Sequence, residues 1–255
     1  MNKERVLGRK VKKINKIYAQ MFSVREECEV NFEKTLHEIA QIGYSGVEFA
    51  GYYGMKAVEL KSLADKLKLE VLSSHISLDL LTNNLDGEIA TLKTLGAKYI
   101  VCPYASVETA AQAKELAAVL NIIGAKIHKA GLTLLYHNHT HELNLVNGEY
   151  LLEVLFDNVN SEFVKQQPDL YWIAYVGIDL IEYIRKNKVR IPAVHLKQME
   201  NMISKKNTDV GKGIIDFHKV MEIIPEAYFV YEQGYSDINI MDDMKKSFSF
   251  LANEK

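Results

Sequence analysis

The sequence alternates extended and helical patterns eight times, with short joints between them. The extended patterns are segments of strand length, and they cover residues 16–22, 46–50, 69–75, 99–102, 132–137, 163–169, 191–195 and 228–232. The helical patterns have apolar residues spaced three and four apart, and they cover residues 32–42, 56–67, 85–95, 107–129, 150–158, 179–186, 216–224 and 241–252. A helix after every strand predicts parallel strands joined by right-handed crossovers. Eight such units predict a single α/β domain, a (β/α)8 barrel of the TIM type.

Glycines and the first strand-to-helix joint agree with this prediction. Gly43, Gly96 and Gly131 each follow a helical pattern and precede an extended one, where a helix C-cap takes a left-handed residue. The alternative is an open, doubly wound sheet, whose first joint would be a glycine-rich phosphate loop. Residues 22–26 contain no glycine. The barrel is therefore favoured, and 255 residues is a usual length for one.

Charge and composition argue against several kinds of partner. With 31 basic and 33 acidic residues, the formal net charge is −2, so nothing favours nucleic acid or an anionic membrane surface. No apolar stretch is long enough to span a membrane. Residues 1–13 differ, with six basic residues against one acidic, and are interpreted as a solvated lead-in to a barrel over 14–255. Cys28 and Cys102 are expected to be reduced thiols in a cytoplasmic enzyme.

Chemically active side chains stand where the extended patterns end. The apolar residues 132–135 lead to Tyr136 and His137, while two later strands lead to His195 and Glu232. In a barrel the carboxyl ends of all strands meet at one mouth. The side chains expected at this mouth are carboxylates, imidazoles and one ammonium group: Glu48, His75, His137, His139, Glu142, Asp169, His195, Lys197 and Glu232. Such a set suits a Lewis-acidic divalent ion such as Mn²⁺, Mg²⁺, Co²⁺ or Zn²⁺.

Four residues near the mouth are interpreted as substrate-binding, and three of them also have a structural interpretation. Glu48 either lines the mouth or pairs with Arg25. Lys197 either binds a phosphate or hydroxyl group or points into solvent. Trp172 either stacks on a sugar ring or covers the rim. His75 ends the third extended pattern and is placed with this group.

Nine segments, in order along the chain, are similar to those of a known family. They include Tyr-His-Asn-His at 136–139, His-Leu-Lys at 195–197 and Gly-Lys-Gly-Ile-Ile-Asp at 211–216, and the others lie at 19–25, 42–48, 73–75, 95–101, 168–172 and 231–233. On these segments the chain resembles the xylose-isomerase-like TIM barrels, specifically the sugar phosphate isomerase/epimerase proteins, over nearly all of residues 14–252. Members of the superfamily include isomerases, epimerases, dehydratases and endonucleases.

The resemblance implies a single divalent metal ion with ligands after the fifth to eighth strands. Three of the family's ligands carry over as Asp169, His195 and Glu232. After the fifth strand many members have glutamate where this chain has His137. Because subgroups with the Tyr-His-Asn-His signature also have a glutamate at the spacing of Glu142, we expect Glu142 as the fourth ligand, with His137 as the alternative. A further departure is Gln198, where relatives often have aspartate.

The resulting functional prediction is a metal-dependent isomerase or epimerase of a sugar, sugar phosphate or keto-sugar. The enzyme would remove a proton next to a carbonyl, with His137, His139, Glu142 and Glu232 as the catalytic candidates. A keto-sugar or inosose-type dehydratase is an alternative at the same site, and so is a non-catalytic carbohydrate-binding barrel. An abasic-site endonuclease is disfavoured by the balanced charge. The expected partner is a small sugar. Because members of the family often form dimers, a homodimer is also expected.

Overall fold

The computed structural model describes residues 16–252, except 235 and 237. The predicted basic lead-in, residues 1–13, lies outside the described residues. Among the helices that are described, none is long and apolar enough to cross a membrane.

Eight parallel strands form a nearly closed barrel, which confirms the predicted fold class. These strands are β1 (Ile17–Gln20), β2 (Gly46–Phe49), β3 (Glu70–His75), β4 (Tyr99–Cys102), β5 (Thr133–His137), β8 (Val164–Gln167), β9 (Ala193–Leu196) and β10 (Tyr228–Tyr231). A small antiparallel hairpin, β6 (Leu145–Val146) and β7 (Glu149–Tyr150), follows β5. The order around the barrel is β8, β5, β4, β3, β2, β1, β10, β9. All eight strands lie where the extended patterns predicted them.

The barrel closes between β8 and β9, at the point where two predicted site residues meet. The link is a parallel bridge between Asp169 and His195, where the backbone nitrogen of His195 donates to the oxygen of Pro168 at 2.9 Å. The closing contact of the fold is thus made at the mouth.

Helices surround the strands. They are α1 (Arg25–Ile42), α2 (Ala57–Leu67), α3 (Leu78–Asn83), α4 (Leu85–Leu95), α5 (Ala110–Lys129), α6 (Leu151–Asn158), α7 (Leu170–Tyr175), α8 (Leu180–Asn187), α9 (Phe217–Ile223) and α10 (Ile240–Ala252). The predicted first helix began at residue 32, whereas α1 begins at Arg25 and is kinked at Asn31. The sequence pattern did not predict α3 and α7, because six residues are too few to show a helical repeat.

The interior of the barrel changes from apolar to polar along the strands. Two clusters of buried side chains lie among the strands: Tyr18, Leu72 and Val230 in one, and Val101, Leu135 and Ala193 in the other. Tyr18, Leu135 and Ala193 each precede a buried polar residue of the same strand by two positions. Near the carboxyl ends of the strands the inward side chains are polar, and the buried members are Gln20, Glu48, Ser73, His137, Gln167 and His195. The apolar layer closes the bottom of the barrel and leaves the polar layer at the mouth as the place for chemistry.

Candidate metal centre and active site

Four side chains with metal-binding atoms converge at the mouth: His137, Asp169, His195 and Glu232. One potential ligand atom from each lies within 4.8 Å of those from the other three. Each of these four residues is at most 8% exposed to solvent. We call this group the four-residue cluster. A second group of three imidazoles, with His75 in place of the two carboxylates, overlaps it.

Each member of the four-residue cluster is placed by the end of a strand. His137 is the last residue of β5 and His195 lies within β9, while Glu232 directly follows β10. Asp169 follows β8 and caps α7, because its Oδ1 accepts from the backbone nitrogen of Tyr171 at 2.9 Å. This cap orients the carboxylate and leaves Oδ2 for another partner.

His195 lies between two carboxylates. Its Nδ1 is 2.8 Å from Glu232 Oε2, and its Nε2 is 2.6 Å from Glu48 Oε1. Burial by itself would lower the pKa of His195, but the charges and hydrogen bonds of the two glutamates outweigh it and raise the pKa to about 10. Without a metal ion, this imidazole is therefore a cation that donates to both glutamates.

Two residues of the four-residue cluster each have a buried atom suited to a cation. Asp169 Oδ2 and His137 Nδ1 are buried and have no hydrogen-bond partner in the described part of the chain. Burial, together with the negative charge of Glu232, raises the pKa of Asp169 to about 7 despite Lys197. Burial and the nearby His195 and His75 hold the pKa of His137 well below its ordinary value, so this imidazole is neutral. Because unpaired buried polar atoms are costly, the donor set fits a divalent ion of the borderline type.

Glu142 is not part of the four-residue cluster, contrary to the sequence-based expectation. A short 3-10 turn, His141–Leu143, directs its side chain back to β5. There its Oε1 accepts from the hydroxyl of Tyr136 at 2.7 Å and its Oε2 accepts from the backbone nitrogen of His139 at 2.9 Å. The alternative residue, His137, occupies the cluster instead. Glu142 supports the loop that carries the histidines.

Glu48 and His75 lie inside the barrel, next to His195. Glu48 is fully buried and His75 Nε2 is 3.0 Å from its Oε1. The ring of His75 stacks on that of His195 with centroids 5.4 Å apart. The substrate-binding role of Glu48 stays a prediction, and its carboxylate faces protein donors on both oxygens. The alternative prediction of a pair with Arg25 fails, since Arg25 Nη2 contacts Glu26 Oε1 at 3.8 Å and its Nη1 donates to the oxygen of Phe22.

Lys197, Trp172 and His139 form one wall beside the four-residue cluster. Lys197 Nζ donates to Glu232 Oε1 at 3.1 Å and lies 5.3 Å from the centre of the Trp172 ring. The His139 ring is 5.9 Å from that of Trp172 and 5.0 Å from that of His137. Trp172 Nε1 and His139 Nδ1 are buried atoms for which the described residues offer no hydrogen-bond partner. Both are therefore suited to contact a polar ligand.

The charge states along this wall are set by burial and by neighbours. Burial lowers the pKa of His139 to about 4, so its ring is neutral at pH 7. Burial would also lower the pKa of Lys197, but Glu232 and Asp169 outweigh it and hold the pKa above its ordinary value. The wall thus offers a neutral imidazole and an ammonium group.

Sequence reasoning missed the polar residues that support the site from within the barrel, namely Gln20, Ser73 and Gln167. A signal was present for Gln20, the one polar residue of β1, whereas β3 and β8 contain several polar residues, so Ser73 and Gln167 did not stand out. Gln198 was noticed only as a departure from the family, and the structure shows what it does. Its Oε1 accepts from the backbone nitrogens of Met199 and Ile215, each at 2.9 Å, and its Nε2 donates to the oxygen of Ile215 at 3.0 Å. Gln198 thereby holds the long loop after β9 against the mouth.

We expect Gln198→Ala to lower the free energy of unfolding by about 1–3 kcal/mol, because it leaves buried backbone groups unpaired. Urea denaturation followed by circular dichroism measures this change. Gln41→Ala, on the exposed face of α1, is the matched control and should change stability by less than about 0.5 kcal/mol. Equal stability of the two variants would contradict the anchoring role.

A comparison with models of protein families shows which family this chain belongs to. The family model described as xylose isomerase-like TIM barrel matches residues 36–253. The chain belongs to this family. The four-residue cluster therefore stands at the mouth of a xylose isomerase-like TIM barrel.

The chain is similar to proteins named inosose dehydratase. The protein of Bacillus thuringiensis (strain Al Hakam) is 27% identical over 248 residues, which cover 80% of this chain and 83% of that protein. The protein of Mesomycoplasma hyopneumoniae (strain 7448) is 26% identical over 213 residues, covering 73% of this chain and 70% of that protein.

Solved structures share the fold at lower identity. A sugar phosphate isomerase/epimerase from Parabacteroides distasonis ATCC 8503 has a TM-score of 0.78 at 22% identity, over 96% of each chain. A 3-keto-D-glucoside 4-epimerase from E. coli has a TM-score of 0.71 at 18% identity, over 93% of this chain and 98% of the other. Homologous xylose isomerase-like barrels are thus enzymes that act on sugar-like molecules.

Proposed function

We propose that this protein is a metal-dependent enzyme that removes a proton next to the carbonyl of a sugar or keto-sugar and returns it as an isomerase or epimerase. The observation that carries this proposal is the four-residue cluster. It combines two imidazoles and two carboxylates with two buried atoms that have no partner within the described residues. Its position at the carboxyl ends of the barrel strands is where enzymes with this fold carry their active sites.

The residues that would hold the metal ion are His137, Asp169, His195 and Glu232. A divalent ion bound there supplies Lewis-acid polarisation of a carbonyl oxygen. The rest of the chemistry belongs to side chains of this chain.

Two groups of the chain are suited to proton transfer at the substrate. Burial would raise the pKa of Glu232, but Lys197 and His195 outweigh it and hold the carboxylate ionised, as a base requires. His139 is neutral, and its unpartnered Nδ1 is able to accept or, in the other tautomer, donate a proton. Glu232 and His139 approach from different strand ends, which suits removal of a proton at one position and its return at another.

The wall beside the cluster is proposed to bind the substrate. The Lys197 ammonium group offers hydrogen bonds to hydroxyl or carbonyl oxygens, and the Trp172 ring offers a face for stacking and an unpartnered Nε1. An ordered polar wall next to the bases holds the carbon-bound proton in a fixed position.

Dehydration of a keto-polyol is the second candidate function. It is favoured by the similarity to proteins named inosose dehydratase at 27% and 26% identity. Proton removal next to a carbonyl is common to both candidates, but a dehydratase then releases a neighbouring hydroxyl group as water. Lys197, or His139 once it has accepted the carbon-bound proton, would supply the proton for that departure.

Exchange of carbon-bound protons with solvent tests both candidates. We expect the metal-loaded protein, in deuterated buffer with Mn²⁺ or Co²⁺, to introduce deuterium into one member of a panel of ketoses, their phosphates, 3-keto glycosides and inosose. Mass spectrometry distinguishes an isomerase or epimerase, whose product keeps the elements of water, from a dehydratase, whose product loses them. A chelator should stop the exchange, and fresh metal should restore it. Sugar binding without exchange across the panel would favour the non-catalytic barrel instead.

A further inference from the structure

Glu48 is the most heavily hydrogen-bonded side chain described in this barrel and has no task in the proposed chemistry. Its residue is fully buried, and five donors from four other strands surround its carboxylate. Oε1 faces Gln20 Nε2 at 2.7 Å, His75 Nε2 at 3.0 Å and His195 Nε2 at 2.6 Å, and Oε2 faces Ser73 Oγ at 2.5 Å and Gln167 Nε2 at 2.7 Å.

The backbone aims Glu48 inward and its neighbours hold it there. Gln20 on β1 and Ser73 on β3 are the register partners of Glu48, so all three side chains lie in one layer. The register between β2 and β3 shifts at Val47 and Glu48, which is the mark of a bulge that redirects a side chain. With both oxygens bonded to donors from neighbouring strands, the carboxylate is a fixed acceptor.

A fixed acceptor at Nε2 decides which nitrogen of His195 faces the four-residue cluster. Gln20 Nε2 donates to Oε1, and Ser73 Oγ and Gln167 Nε2 donate to Oε2, so the carboxylate is an acceptor at both oxygens. Nε2 of His195 therefore carries a proton toward Glu48. The other nitrogen, Nδ1, points at Glu232 Oε2 at 2.8 Å. Nδ1 is thus the only ring nitrogen of His195 left for a cation in the cluster.

We infer that Glu48 is a positioning residue that fixes the tautomer and the ring orientation of His195, with Nδ1 toward the metal centre. This inference rests on the proposed function, because it explains the contact between Glu48 and His195, and His195 is a metal ligand only in that proposal. Glu48 touches neither metal nor substrate and acts only through His195. Carboxylates that orient a ligating histidine in this way contribute to metal affinity without binding the metal.

Metal affinity of two Glu48 variants tests the inference. Glu48→Ala should weaken the binding of Co²⁺ by about 10- to 100-fold, measured by calorimetry, and should change the visible absorption spectrum of the bound ion. Glu48→Gln should recover most of the affinity, because its amide oxygen still accepts from Nε2. Glu88→Ala, which removes another buried glutamate on α4, should keep both the affinity and the spectrum. Co²⁺ affinity and spectrum unchanged in folded Glu48→Ala would overturn the inference, since a purely structural Glu48 alters only stability.

Nitrogen NMR of the native protein tests the same inference without relying on a variant that folds. In protein with ¹⁵N-labelled histidine and bound Zn²⁺, His195 should carry its proton on Nε2 and have the chemical shift of a metal-bound nitrogen at Nδ1. The reverse pattern would overturn the positioning role while leaving the proposed function intact. Failure of the native protein to bind Co²⁺ or Zn²⁺ would instead defeat the proposed function and, with it, this inference.

Discussion

Glu232→Gln should reduce metal-dependent exchange of carbon-bound protons by about 10³-fold or more. In the structure this carboxylate belongs to the four-residue cluster, faces His195 Nδ1 at 2.8 Å and accepts from Lys197 Nζ at 3.1 Å. Glutamine keeps the size of the side chain but removes the negative charge. The variant therefore loses a base, a metal-binding oxygen and the counter-charge of Lys197 in one change.

Deuterium incorporation measured by mass spectrometry checks this prediction, with circular dichroism to show that the variant is folded. The matched control is Glu222→Gln, because Glu222 is an exposed glutamate on α9 that pairs with Lys219 at 2.7 Å. The control should exchange at the native rate. Exchange by folded Glu232→Gln at a rate close to that of the control would remove Glu232 from the proposed chemistry.

His137→Ala should weaken metal binding by about 100-fold, whereas Glu142→Gln should change it by less than about threefold. His137 is a member of the four-residue cluster, with a buried Nδ1 that lacks a partner among the residues described. Glu142 faces Tyr136 and His139 and lies outside the cluster. Glutamine at position 142 has only one acceptor oxygen, so it keeps the hydrogen bond from the Tyr136 hydroxyl and loses the one from the backbone nitrogen of His139. The main effect of this variant should therefore be on the stability of the loop.

Calorimetric titration with Mn²⁺ and Co²⁺, beside urea denaturation, separates the two effects. The expected pattern is a loss of affinity with little loss of stability for His137→Ala, and the opposite for Glu142→Gln. If Glu142→Gln loses the metal and His137→Ala keeps it, the ligand after the fifth barrel strand is Glu142, and the loop must rearrange when the metal binds.

The positions of the barrel strands were accessible from the sequence because their signals are local. A buried parallel strand needs a short apolar run, and an amphipathic helix needs apolar residues three and four apart, so each element leaves its own pattern. The predicted ends of the strands and helices were less accurate than their positions. The extended pattern that was predicted to reach Asp169 ends at Gln167, because Asp169 caps α7, a helix too short to leave a pattern of its own.

Part of the candidate site was also accessible from the sequence. Parallel strands in a barrel bring their carboxyl ends together whatever the lengths of the helices between them, so polar residues at strand ends predict a common location. His137, Asp169, His195 and Glu232 follow this rule, and the structure places all four within one cluster. Right-handed crossovers between parallel strands set the order of the strands, so no other information was needed to predict that these residues share one end of the barrel.

The tertiary structure decided what each side chain faces. Glu142 is only five residues beyond His137, yet a single 3-10 turn directs its carboxylate to Tyr136 and away from the cluster. Glu48 lies near the carboxyl end of β2, but a shift in register and donors from β1, β3, β8 and β9 place it inside the barrel against His195. The sequence determined which residues reach the mouth, because strand periodicity and topology are enough for that. Which of them meet there depends on backbone turns and on hydrogen bonds between strands far apart in the chain, and only the folded barrel brings those partners together.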